Sequence, residues 1–168
     1  MNQKTVMQLL GVVVLLTAAV VFYLKLSPAS GSGDDSAYFY DLAEQKLFVA
    51  PRSSIPPIAG TKGGKEAGVR AIVISTTGDP GDEKHREIAY LEKYSPEMKS
   101  LFEETREARK AGRTAAGRID RSVVPANTWV RRLKDTEWHS LASPEGEKIA
   151  GEWNEAGPDG RVPVVCSP

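Results

Sequence analysis

The hydrophobic pattern divides the chain into an apolar N-terminal segment and a longer mixed segment. Val6 to Leu24 is a run of 19 residues in which Gln8 and Thr17 are the polar side chains. A helix of this length extends about 28 Å, close to the roughly 30 Å of a bilayer core. The pattern therefore predicts a transmembrane anchor over residues 1–26. The apolar and interfacial aromatic positions that represent this anchor are Val6, Leu15, Phe22 and Tyr23.

A secretory signal peptide, cleaved after export, is the alternative interpretation of this segment. The apolar region of a signal peptide is typically about 7 to 15 residues long, which is shorter than this run, although residues 27–29 offer small side chains for cleavage. Lys4 precedes the run, and Lys25 is followed by acidic residues, so the positive-inside rule favours a cytoplasmic N-terminus. We expect an inner (cytoplasmic) membrane location with the following domain extracytoplasmic, in the periplasm.

The next residues, 27–36, are small and polar and predict a flexible linker. The pattern of residues 37–168 predicts one α+β domain. Two aromatic and β-branched runs around residues 42–45 predict a β-hairpin. The near-continuous apolar run Val69 to Ser75 predicts a central strand that is buried on both faces.

Two helix starts follow the same rule along the chain. Ser95 and Ser143 are each followed by Pro and Glu, which is typical of an N-cap and the first helical turn. These signals predict one helix that ends near Gly112 and a second that ends near Trp153. Further strands are predicted at Ile88–Tyr94, Trp129–Leu133, Trp138–Leu141 and Arg161–Cys166. The expected fold is a small mixed, mostly antiparallel sheet with two helices.

Composition adds limits rather than a function. The chain has 22 basic and 22 acidic residues, so its balanced charge does not favour a nucleic-acid partner. Cys166 is the single cysteine, and it therefore forms no internal disulfide. His85 and His139 lack a second ligand at a metal spacing. No phosphate loop, nucleophile elbow or haem motif is present, and we expect no cofactor and no metal site.

Charge is distributed unevenly along the domain. Residues 99–134 carry ten basic and four acidic side chains, whereas residues 135–168 carry two basic and seven acidic ones. The basic stretch is either a solvated surface or a surface for anionic lipid headgroups, an envelope polyanion or an acidic partner. The side chains of this candidate surface are Arg106, Arg109, Lys110, Arg113, Arg118 and Arg121.

Aromatic residues are expected mainly in the core. Trp129 and Trp138 fall on the two arms of the second predicted hairpin, where they could be neighbours on one face. Exposed aromatic side chains would instead indicate a partner surface, because Trp, Tyr and Arg are enriched at interface hot spots.

Several short segments also carry a resemblance, which covers most of the chain after the anchor. These segments are Tyr38–Leu42, Lys46–Pro51, Ile55–Ile58, Gly68–Ala71, Tyr90–Tyr94 and Pro163–Pro168. Together they resemble a group of uncharacterised, membrane-anchored proteins of planctomycete-like bacteria. The resemblance implies the same anchored organisation, but it implies no activity and identifies no catalytic residue.

These patterns predict a non-enzymatic binding or structural module, an accessory subunit of a membrane or envelope complex with a protein partner in the same membrane. A linker of about ten residues keeps the domain within roughly 20 Å of the bilayer. Two alternatives remain open: an extracytoplasmic hydrolase acting on an envelope polymer, and a soluble domain secreted after signal cleavage. A pocket that collects His85 or His139 with carboxylates would favour the hydrolase.

Overall fold

A computed structural model describes residues 35–114 and 119–168 of the chain. The predicted anchor, with Val6, Leu15, Phe22 and Tyr23, and nearly all of the predicted linker lie outside these residues. In the part of the chain that the structure describes, no helix combines the length and the apolar character that crossing a bilayer requires.

Within the described residues, seven strands form one sheet, and each strand pairing is antiparallel. The strands run in the spatial order β2-β1-β3-β4-β5-β6, and the short β7 pairs with β3 beside β1. This arrangement confirms an α+β fold with a mostly antiparallel sheet. The strands are β1 Ser36–Asp41, β2 Lys46–Pro51, β3 Gly68–Ser75, β4 Arg86–Tyr94, β5 Thr128–Arg131, β6 His139–Ser140 and β7 Val164–Val165.

Two helices, α1 Pro96–Lys110 and α2 Pro144–Gly151, begin where their sequence signals predict. Ser95 Oγ accepts a hydrogen bond from the Met98 amide at 3.2 Å, and Ser143 Oγ accepts one from the Gly146 amide at 3.1 Å. Each cap satisfies an N–H group that the first helical turn leaves without an intrahelical partner. The second helix is followed by a 3₁₀ turn at Glu152–Asn154.

The strand register assigns the side chains to two faces, because directly opposed residues of an antiparallel pair point the same way. Phe39, Arg70, Glu92 and Val130 are successive cross-strand partners and therefore share one face. The α1 side chain Phe102 packs on Tyr94, two residues beyond Glu92, so this is the helix face. The opposite face, called the open face below, carries Ala71, Leu91 and Arg131 as cross-strand partners.

One cluster of buried core side chains lies on the open face. Its buried members are Val69, Ala71, Val73, Leu91 and Cys166, and half-buried Tyr40, Leu42 and Trp138 pack against them. The predicted central strand β3 is thus confirmed, since Val69 is fully buried on one face and Ile74 is 2% exposed on the other.

The loop between β2 and β3 is fastened to the first hairpin by Asp41. Its buried carboxylate accepts hydrogen bonds from the amides of Ala43, Glu44 and Thr61 and from the Thr61 hydroxyl. A side chain at Gly60 would bring its Cβ within 2.5 Å of Asp41 Oδ2, so only glycine allows the loop to approach this closely. The carboxylate is therefore a structural group rather than a free one.

Two details of the predicted fold are wrong. The last strand comprises only Val164–Val165 instead of Arg161–Cys166, because it meets β3 over just two residues and Pro163 has no N–H to donate. Trp129 is 40% exposed instead of lying in the core. Its direct partner across the hairpin is Ser140, so Trp138 is its diagonal neighbour on the open face.

Candidate anion-binding site

The candidate site lies between α1 and the loop that follows β2. Arg106 and Arg109 are three residues apart on α1, a spacing that places both on one side of a helix. On the same helix Met98 and Ala108 are buried and fix which face of α1 meets the sheet. The two arginines therefore lie beside the buried face and point along the groove that α1 makes with its neighbours.

A cleft of about 390 Å³ occupies this groove. Four of its lining residues are arginines, and none of its described lining residues is an aspartate or a glutamate. We call it the arginine cleft. Its lining residues are Arg52, Ser53, Ser54, Ile55, Arg70, Tyr94, Phe102, Thr105, Arg106, Arg109 and Ile119.

Arg70 holds the wall of the cleft. Its Nη2 atom donates hydrogen bonds to the carbonyl oxygens of Arg52 and Ser54, both at 3.0 Å. Its guanidinium carbon lies 5.6 Å from the centroid of the Phe39 ring, within range of a cation–π contact. Its Nε atom is buried and has no hydrogen-bond partner among the described residues. Arg70 is thus positioned by backbone oxygens, and its charge is not neutralised by a salt bridge there.

The other three arginines are held loosely. Arg106 Nη1 approaches the Ser53 carbonyl oxygen at 3.5 Å, and its Nε lies 3.5 Å from Glu107 Oε1 without hydrogen-bond geometry. Arg52 donates to the Ser167 hydroxyl at 3.2 Å. Arg109 is exposed, and neither a hydrogen bond nor an ion pair joins it to another described residue. The charge of Arg109 is the one most available to a ligand.

Aromatic rings form the floor of the cleft. The ring centroids of Tyr94 and Phe102 are 4.9 Å apart with an interplanar angle of 58°. Glu92, the cross-strand partner of Arg70, is a carboxylate on the helix face. Burial raises the pKa of Glu92, and the charge of Arg70 partly offsets this rise. Burial, reinforced by Glu92, also raises the pKa of Tyr94, although Arg70 opposes it.

The predicted basic side chains separate into three groups. Arg106 and Arg109 line the arginine cleft, and Arg121 lines an adjoining groove that shares Phe102, Thr105, Arg109 and Ile119 with it. Lys110 is exposed and paired with Glu107 at 3.1 Å, which lowers the pKa of that carboxyl group. Arg113 is exposed after the end of α1, and Arg118 lies outside the described residues.

Two residues of the cleft, Arg52 and Arg70, were not among the predicted side chains. Arg70 did carry a signal, because it is the single charged residue within the apolar run of β3. A charge in such a strand needs a partner or an exit to solvent. Arg52 follows β2 without a comparable signal.

Neither histidine forms a metal cluster or a nucleophile pair. His85 is exposed and lies 2.8 Å from Asp82, whose pKa its hydrogen bond lowers. His139 lines a shallow depression with Asp135, Glu137 and Glu145. Cys166 is buried in the core of the open face. Within residues 35–114 and 119–168, no three His, Cys, Asp or Glu side chains are grouped to hold a metal ion.

The arrangement can bind an anion that also has apolar surface. Arginine presents a rigid fork of donors that matches carboxylate and phosphate oxygens, often through two parallel hydrogen bonds. The aromatic floor can take up an apolar group next to the charged one. No family model matches the chain, and neither a curated protein nor a solved structure matches it.

Proposed function

We propose that the chain is a non-enzymatic, membrane-anchored binding module, an accessory subunit that recognises an acidic segment of a protein partner in the same membrane. The observation that carries this proposal is the arginine cleft, in which four arginines surround an aromatic floor without a described carboxylate in the lining. The soluble domain lies on the extracytoplasmic side of the inner membrane in this proposal.

The chemistry of the cleft favours a protein segment over a bare polyanion. Buried aromatic side chains with arginine at the edge are typical of protein–protein hot spots. Phe102 and Tyr94 offer a surface for an apolar side chain, while Arg106 and Arg109 lie next to it. A partner segment with a carboxylate beside an aromatic or aliphatic residue fits both features.

The test is a mild-detergent pull-down of the tagged full-length chain with mass spectrometry of both bait and partners. We expect a stoichiometric membrane protein with the wild-type chain and its loss with Arg109→Glu. Lys110→Glu is the matched control, because Lys110 is the next residue but pairs with Glu107 and does not line the cleft. The bait should still contain residues 1–29.

Two results would contradict the proposal. One is a bait that begins at Ser30 and carries no partner, which would instead indicate a secreted domain. The other is a partner retained equally by the wild-type chain, Arg109→Glu and Lys110→Glu, which would place the contact outside the cleft.

One observation favours the second candidate function, an extracytoplasmic hydrolase acting on an envelope polymer. The depression beside β6 collects His139 with three carboxylates. However, Arg132 pairs with two of these, Asp135 at 3.3 Å and Glu145 at 3.0 Å, so they are engaged in a structural ion-pair network. Release of polymer fragments by the purified full-length chain, abolished by His139→Ala, would support the hydrolase over the binding module.

A further inference from the structure

The open face of the sheet has a side-chain composition of its own. Trp129 and Lys93 are cross-strand partners there, and Trp138 lies diagonally across the hairpin from Trp129. Lys93 Nζ lies 4.5 Å from the centroid of the Trp138 ring and 5.9 Å from that of Trp129. Arg131 lies 5.0 Å from the Trp138 ring. Four side chains thus form one continuous aromatic–cation row.

No strand position on this face is acidic. The register places Tyr38, Tyr40, Leu47 and Val49 on the same face across β1 and β2, and Val49 is 53% exposed. Burial and the charge of Arg131 lower the pKa of Lys93, and the charge of Glu66 opposes this effect. The strand positions of this face therefore combine apolar and aromatic side chains with basic ones.

We propose that the aromatic–cation row of the open face docks on an anionic lipid bilayer, with Trp129 and Trp138 at the level of the headgroups and Lys93 and Arg131 against lipid phosphates. Tryptophan and tyrosine favour the membrane–water interface, and basic side chains are attracted to anionic lipid. The row is built from these residue types.

The path of the chain supports this occupant. The apolar run ends at Leu24, and Ser36 opens β1 about ten residues later. A flexible segment of that length spans roughly 20 Å. The proposed membrane attachment, on which this inference rests, therefore keeps the domain within reach of the bilayer surface.

Two other occupants fit less well. A second copy of the chain related by a two-fold axis would bring the same surface against itself. Lys93 and Arg131 would then face their own copies without an acidic counterpart on the face. The apolar run of residues 6–24 would cover apolar side chains but would provide no anion for either cation. An anionic bilayer, with an apolar interior beneath its charged headgroups, matches both properties.

The chain offers a built-in probe for the test. Its three tryptophans are Trp129, Trp138 and Trp153, so the predicted anchor contains none. The full-length chain is reconstituted in nanodiscs of phosphatidylcholine alone or of equal parts phosphatidylcholine and phosphatidylglycerol, each with brominated acyl chains. We expect tryptophan fluorescence to be quenched more strongly in the anionic discs, and Trp129→Phe and Trp138→Phe each to reduce the quenching.

Charge variants locate the contact. Lys93→Gln and Arg131→Gln should each lower the ratio of docked to undocked domain about fivefold in anionic discs. Lys110→Gln is the matched control, because it removes one exposed charge from α1 on the helix face and Lys110 does not line the arginine cleft. It should leave the quenching unchanged, so this test does not depend on partner binding in the cleft.

A salt series on the wild-type chain gives the same test without a substitution. Raising the salt concentration from about 0.05 M to about 0.5 M should abolish the extra quenching in anionic discs, since screening weakens headgroup attraction. Two results would overturn the proposal: equal quenching in both lipid compositions, or quenching that is unchanged by salt and by both charge variants. Either result would indicate that a second copy or the apolar run covers this face.

Discussion

Arginine side chains occur in two opposite electrostatic settings, one at Arg132 and the other in the arginine cleft. Arg132 binds both carboxylate oxygens of Glu152 at 2.6 and 2.7 Å and also contacts Glu145 and Asp135. Arg109 in the cleft forms no such pair with a described residue. The chain therefore supplies three carboxylates to Arg132, whereas Arg109 has no ion-pair partner among the described residues.

This difference separates a structural charge from an available one. Hydrogen bonds to Glu152 and Glu145 raise the pKa of Arg132, and Arg132 in turn lowers the pKa of Glu152. These bonds join the residue after β5 to α2 and to the turn that follows it. An arginine without an internal partner contributes no comparable tie to the fold, and its charge can instead be matched by a carboxylate of another molecule.

The largest expected effect is on stability, from Arg132→Leu. Removing this guanidinium leaves Glu152, Glu145 and Asp135 close together without the cation that they share, so their repulsion opposes the docking of α2. We expect the Tm of the full-length chain to fall by several degrees, measured by circular dichroism. An unchanged Tm would show that these ion pairs do not support the fold.

A smaller effect is expected from Asp41→Asn, and it depends on pH. Burial raises the pKa of Asp41, but hydrogen bonds from Glu44, Thr61 and Ala43 outweigh burial and hold it at about 2, against an ordinary value of 3.8. A depressed native pKa stabilises the fold above the unfolded value, and this contribution is lost as the pH falls through about 2.

Asp41→Asn should therefore lower the stability at pH 7 and flatten the acid limb of the stability curve between about pH 4 and pH 2. The urea concentration at the unfolding midpoint, measured for both proteins at a series of acidic pH values, tests this expectation. Parallel acid limbs for the two proteins would contradict the structural role of the carboxylate.

The smallest effect on stability is expected in the cleft. Arg109→Gln should change the free energy of unfolding by less than about 0.5 kcal/mol, the range of surface substitutions without a special contact. Loss of the Arg109 charge also relieves its repulsion with the charge of Arg106. A large loss of stability, equal to that of Arg132→Leu, would remove the distinction between the two regions.

Local signals predicted most of the fold. Ser95 and Ser143 fixed both helix starts because a cap depends on residues that are adjacent in sequence. The strand at Val69 to Ser75 followed from its apolar run. The last strand could not be bounded from sequence, because its length depends on the tertiary register in which it meets Ile74 and Ser75 of β3.

The candidate site was only half predictable for the same reason. Arg106 and Arg109 belong to one helix, and their spacing is visible in the sequence. Arg52 and Arg70 reach the cleft through the pairing of β1 with β3 and the hydrogen bonds of the intervening loop, contacts that no local pattern encodes. Whether a basic side chain is paired also depends on tertiary neighbours, as Lys110 shows.

The most direct test of the central claim measures anion binding in the cleft. The full-length chain in mild detergent is titrated with an oligoglutamate peptide at constant ionic strength, and the Tm is recorded for the wild-type chain, Arg109→Glu and Lys110→Glu. Because a ligand that binds only the folded state raises the Tm, we expect an increase for the wild-type chain and Lys110→Glu that Arg109→Glu abolishes. The same increase in all three would contradict an anion-binding role for the arginine cleft.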